Sequence, residues 1–197
     1  MSAHQLPPSL DQWTSDESVA PFRIPVKEYL ATHAEIDGVA IGALVFQQNS
    51  NKLLIMQRAA HDSFPSLWET PGGKCDELDD SLLSNLTREV YEETGLITRH
   101  IGKCVAPRGD SSDYQLFGKA GGNGYRFVWR GKSAVKYTFL VTVDQYDSVK
   151  LDPNEHQDFI WATEEECVAG RSGDKSIKFT TNAQRDTILA AFKVHRD

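Results

Sequence analysis

From residue 38 to 48 the chain reads GVAIGALVFQQ, apolar and β-branched almost without a break, the pattern of a strand buried on both faces. Asn49-Ser50-Asn51 is a turn and KLLIMQR (52–58) a second strand, so residues 38–58 are predicted to form a hairpin. The rhythm then changes. Leu83, Leu86 and Val90 recur at helical spacings, which predicts a helix over about 80–94, capped by Asp79, Asp80 or Ser81 and stopped by Gly95. Residues 96–106 read as a strand, 109–124 as a long loop or irregular hairpin, and 125–143 as one or two strands. FIWA (159–162) is a short strand, Thr163 opens a helix at Glu164, and residues 181–195 form a closing amphipathic helix with Ile188, Leu189 and Phe192 on one side.

Upstream of the first strand the pattern weakens. Residues 1–20 are polar, carry Pro7 and Pro8, and are expected to be loosely ordered; residues 26–33 are predicted to form a short helix after Pro25. The expected organisation is therefore an arm over 1–35, packing onto a single domain over 36–197. Strands, helix, strands, helix is the order of an α/β fold, a mixed sheet layered with helices.

Composition narrows the chemistry. With 40% hydrophobic and 25% charged residues among 197, the chain suits a globular domain with a sizeable core. Its formal charge of −7 argues against a nucleic-acid polymer as main partner, but not against a small nucleotide. Cys75, Cys104 and Cys167 form no C-x-x-C pair, which argues against zinc or a disulfide framework and for a reducing compartment. No signal-peptide core and no membrane-spanning run is visible, so a cytoplasmic protein without a membrane partner is expected.

The candidate chemistry lies in WETPGGKCDELDDSLLSNLTREVYEETG (68–95). Glu89, Glu92 and Glu93 share one arc of the predicted helix. Isolated, such an arc is a solvated helix face. Behind a diglycine turn and a helix-length spacer, it is a hard-cation site, and a hard cation in an enzyme commonly serves a phosphate. Elsewhere, Gly131-Lys132-Ser133 echoes the end of a P-loop, but Arg126 stands where its first glycine belongs. Tyr125, Phe127 and Trp129 alternate along a strand, where they could stack on a base or pack a hairpin.

The segment resembles the Nudix box of the MutT-like hydrolases, G-x5-E-x7-R-E-U-x-E-E-x-G-U, with U a bulky aliphatic. Arg88, Glu89, Val90, Glu92, Glu93, Gly95 and Leu96 match its second half. Its first half is one residue longer than the pattern, and Asp79 or Asp80 stands where a glutamate is expected. The resemblance implies an α/β/α sandwich and a pyrophosphohydrolase acting on a small nucleotide or related diphosphate; the oligomeric state stays open, a homodimer among the options. It implies Mg²⁺ or Mn²⁺ held by Glu89, Glu92, Glu93 and the main-chain carbonyl near Gly73, with Arg88 orienting a carboxylate. It also implies that one of these three glutamates, or Glu155 in the loop DPNEHQD, deprotonates or steers the attacking water, with the base left open among them, and substrate contacts for Arg58, Trp68 and Glu69; the packing of Trp68 under the turn is the competing use. Two further readings stay open: a non-catalytic nucleotide-binding module of the same fold, and hydrolysis of a non-nucleotide diphosphate.

Overall fold

The computed structural model describes residues 12–77, 79–109, 111–118 and 123–196. Its spine is a long strand, β8 (Lys132–Val143). Along one edge β8 pairs in parallel with β2 (Gly38–Val45), from Gly38 opposite Ala134 to Val45 opposite Val141. Its other edge is shared. The first half pairs with β7 (Gly124–Trp129) and the second with β5 (Thr98–Cys104), both antiparallel. β6 (Gln115–Phe117) extends β7, and β1 (Thr14–Ser15) lies parallel to β5. A second, antiparallel sheet runs β4 (Trp68–Glu69), β3 (Leu53–Arg58), β9 (His156–Ala162).

The hairpin expected over 38–58 does not form as such. Its two strands meet only at the turn, where Gln47 N–H donates to the Lys52 carbonyl at 2.8 Å and Phe46 bridges Leu53. Beyond it they part into different sheets. Both are apolar on both faces, so the sequence pattern names no partner for either. Leu54 and Met56 enter one core while Leu53 and Ile55 enter the other.

Helices cover both faces. α2 (Leu82–Thr94) sinks Leu82, Leu83, Leu86 and Val90 against Val39, Ile41, Ala43 and Val45 of β2. α4 (Asn182–Arg196) packs Ile188, Ala191 and Phe192 with Leu44, Phe46 and Trp68 on the opposite side. This is the expected α/β/α layering. Ser81 caps α2 by accepting the Ser84 N–H at 3.0 Å, and Gly95 ends it with φ 69°. α3 (Glu164–Ala169) starts at Thr163 with a complete capping box.

The arm is more ordered than its polarity suggested. Residues 1–11 lie outside the described residues, but Glu17–Phe22 form a 3₁₀ turn and Val26–Ala31 the short helix α1. Val19 and Phe22 are buried, and Phe22 packs edge-on to Tyr137 and Phe139 at 4.7 and 5.0 Å. These spaced apolar anchors fix a segment that is otherwise polar. The long loop also carries more structure than expected, since β6 pairs within it; residues 110 and 119–122 of that loop lie outside the described residues.

The free edge of β2 positions the site. Residues 71–75 run antiparallel along it: Ala43 N–H donates to the Pro71 carbonyl (2.8 Å), Ile41 N–H to that of Gly73 (2.9 Å), and Cys75 N–H to that of Val39 (2.9 Å). Gly72 sits at φ +136°, where an added Cβ would lie 2.3 Å from the Ile41 carbonyl oxygen. Only glycine fits there. Gly131, at φ +78° in the β7–β8 turn, has open space around its missing Cβ. Gly131→Ala is expected to cost about 1–2 kcal/mol of backbone strain, and Gly72→Ala at least about 3 kcal/mol because overlap adds to strain. Urea midpoints of the two variants test this ordering; equal losses would contradict it.

Candidate active site

α2 turns Glu89 and Glu93, one helical turn apart, toward the two glycines. The Gly72 N–H donates to Glu93 Oε2 at 2.6 Å, and Glu93 is buried. A Cβ on Gly73 would sit 2.8 Å from Glu89 Oε2. The missing side chain of Gly73 thus admits a carboxylate against the backbone, and Gly72 offers its amide to the other. Glu92 lies further out, its side chain 45% exposed.

Arg88 ties this face together. It donates to Glu92 at 2.5 Å, to Glu89 at 2.9 Å and to Asp79 at 3.0 Å. Asn85 also donates to Asp79. Of the two aspartates in the altered half of the box, Asp79 therefore meets the arginine. Gly73, the expected source of a carbonyl ligand, accepts one bond there from Ile41; a carbonyl oxygen has a second lone pair.

The second sheet supplies the opposite wall. The β3–β9 register sets Arg58 opposite His156, and β4 sets Glu69 beside Met56. Arg58 donates to Glu69, to Asp62 and, at 2.5 Å, to the Ser63 carbonyl, so it is committed to shaping its own loop. Trp68 is 1% exposed and its Nε1–H donates to the Ser176 carbonyl at 2.9 Å, which leaves the ring no surface to offer a substrate. Of the alternating aromatics, Tyr125 is buried while Trp129 is exposed beside Phe64.

His156 was passed over in the sequence because no histidine showed ligand spacing. It is buried, with Nε2 3.2 Å from Glu69 Oε1 and Nδ1 4.0 Å from Glu93 Oε1. An ionised Glu69 only accepts, so Nε2 carries a proton. That Nδ1 has no hydrogen-bond partner among the described residues. Glu93, exposed Glu155 and His156 each offer one ligand atom, all within 4.8 Å of one another. The only sequence hint was that His156 adjoins Glu155.

These charges do not balance. Burial lifts the Glu93 carboxyl well above the usual range, and the Glu69, Glu89 and Glu155 charges add to it, against the Gly72 bond. Burial also pushes Glu89 up to about 7, despite Arg88. Burial would raise Glu69 too, but the His156 bond and the Lys136 and Arg58 charges hold it below the usual range. Carboxylates that ionise at a penalty, an imidazole nitrogen without a hydrogen-bond partner among the described residues and an exposed third carboxylate beside them form a donor set suited to a divalent cation.

The family comparison agrees. The NUDIX domain model matches residues 37–182, most of the chain. The chain belongs to the Nudix family. Solved structures share the fold: the MutT protein of Methanosarcina mazei Go1 (TM-score 0.54, 21% identity, covering 81% of this chain and 95% of that one) and the E. coli ORF135 protein (TM-score 0.55, 19% identity, 82% and 94%). Among curated relatives, the m7GpppN-mRNA hydrolase NUDT17 of Danio rerio is 46% identical over 61 residues, 30% of this chain and 20% of that protein. Its Homo sapiens counterpart is 41% identical over 61 residues, 30% and 18%. The chain thus spans about a fifth of the length of the curated relatives it matches.

The Glu89 shift has a testable consequence. Its folded value of about 7 lies above the ordinary 4.5, so the unfolded chain releases this proton first. In chelator, stability should fall as pH rises from about 4.5 to about 7, then level off. Glu89→Gln should remove up to about 3 kcal/mol of that fall. Urea unfolding across this window checks it; parallel profiles for variant and wild type would contradict it.

Proposed function

We propose that this chain is a divalent-metal-dependent hydrolase that cleaves the phosphoanhydride bond of a nucleoside diphosphate-linked or related small diphosphate. The observation that carries the reading is the pair formed by buried Glu93 against Gly72 and half-buried Glu89 against Gly73, both raised above the usual carboxylate range by burial. Glu89, Glu92 and Glu93, with the Gly73 carbonyl, would hold Mg²⁺ or Mn²⁺, and Glu155 and His156 border the same place. A bound ion supplies charge neutralisation on phosphate oxygens and a more acidic water.

The chain's own residues do the rest. Arg88, pinned by Asp79, fixes the rotamers of Glu89 and Glu92. Glu155 is exposed, its side chain has no ion pair among the described residues, and it adjoins Glu93 and His156. It is the carboxylate we assign to take the proton from the attacking water. The water oxygen bonds to phosphorus, the bond to the bridging oxygen breaks, and that oxygen leaves with the second phosphate. Glu69 holds the His156 ring in place.

The relatives' name makes a capped 5′ end one member of the substrate panel, beside ADP-ribose, nucleoside triphosphates and non-nucleotide diphosphates. Among the described residues no helix is long and apolar enough to cross a membrane. The free thiols at Cys75, Cys104 and Cys167 suit a reducing compartment such as the cytoplasm.

The double variant Glu92→Gln/Glu93→Gln should lose at least ~10²-fold in metal-dependent turnover on whichever panel member is cleaved, with its far-UV circular dichroism unchanged. Full turnover in that variant would defeat the assignment. Binding of the panel without phosphate or monophosphate release by the wild type would favour a non-catalytic module.

A further inference from the structure

Lys136, on β8, is a cation inside this acidic cluster that neither the box nor the metal reading uses. The β2–β8 register places it opposite Ala40, on the edge of β2 away from the 71–75 segment. Its stem crosses β2 over Gly42, where a Cβ would press on Lys136 Cε at 3.1 Å. The missing side chain leaves room for that stem. Glu69 and Glu93 are the two strongest negative charges it feels, followed by Glu89.

Yet Lys136 is bonded to none of these acids. Among the described residues its side chain makes one hydrogen bond, 3.3 Å to Gln184 Oε1, and Gln184 Nε2 donates in turn to Thr70 Oγ1 at 2.9 Å. Glu69 is already taken by Arg58 and His156, and Glu93 by Gly72. An ammonium carries three donors, so two are left, on a side chain only half-buried. A simple counter-ion would sit on a carboxylate. This one is bonded to a neutral amide instead.

We propose that Lys136 is a substrate ligand that donates to the non-bridging oxygens of the diphosphate. The inference rests on the hydrolase reading above. It gives the site a fixed positive charge where an anion of several charges must enter among carboxylates.

The test uses imidodiphosphate, a diphosphate with a non-hydrolysable P–N–P bridge, titrated calorimetrically into the full chain at saturating Mg²⁺. Lys136→Met keeps the apolar stem and removes the ammonium. It should weaken imidodiphosphate binding by roughly 10- to 10²-fold, and Lys136→Arg should restore most of it. Mg²⁺ affinity measured alone should stay the same or tighten in Lys136→Met, since a competing cation is gone; this also certifies that the site is folded. Wild-type imidodiphosphate affinity in Lys136→Met would overturn the inference and leave the hydrolase reading standing. Failure of the wild type to bind imidodiphosphate, together with no turnover of the substrate panel, would overturn both.

Discussion

The site depends on an imbalance of buried charge. Glu93 is sealed against the Gly72 amide, Glu89 against the missing side chain of Gly73, and Glu69 stands behind them on the next sheet. Arg88 pairs with Glu89 and Glu92, and Arg58 with Glu69, which compensates this set only in part. Burying a carboxylate favours its neutral form, and in both helix glutamates burial is the largest cause of the upward shift. A divalent ion bound there would convert that penalty into affinity.

The fold exists around this arrangement in a specific sense. β2 bonds along both edges, to β8 on one and to residues 71–75 on the other, so the diglycine turn is fixed by a strand that cannot shift without breaking two sets of pairings. α2 is anchored on the same strand by its leucine stripe, which sets its glutamates at the turn. Because β3 leaves β2 at the turn and joins β9, a second wall arises, and Glu69, Arg58 and His156 come with it. The Nudix family membership shown by residues 37–182 is thus a statement about how a helix face, a turn and two sheets meet.

What was legible in the sequence was local. The helix, a cap within 79–81, its Gly95 stop and the glutamate arc all follow from residue types and spacing within one segment, and the structure selects Ser81 as the cap. What was not legible depends on pairing across the chain. His156 meets Glu69 across 87 positions, and no pattern near either residue announces the other. Lys136 reads as one polar residue in a long strand until register sets it opposite Ala40, with its stem against Gly42. The parting of β2 and β3 was hidden because a strand buried on both faces carries no period that selects a partner. Asp79 and Asp80 were equivalent in sequence, and Arg88 distinguishes them only in space.

Calorimetric titration of Mg²⁺ into the metal-free protein, repeated in buffers of different protonation enthalpy, reaches the central claim directly. If Glu89, raised to about 7, receives the ion, binding at about pH 6 must expel on the order of one proton per ion, and the number must shrink as pH rises. Binding at that pH with no proton expelled, or no binding at all, would contradict the account.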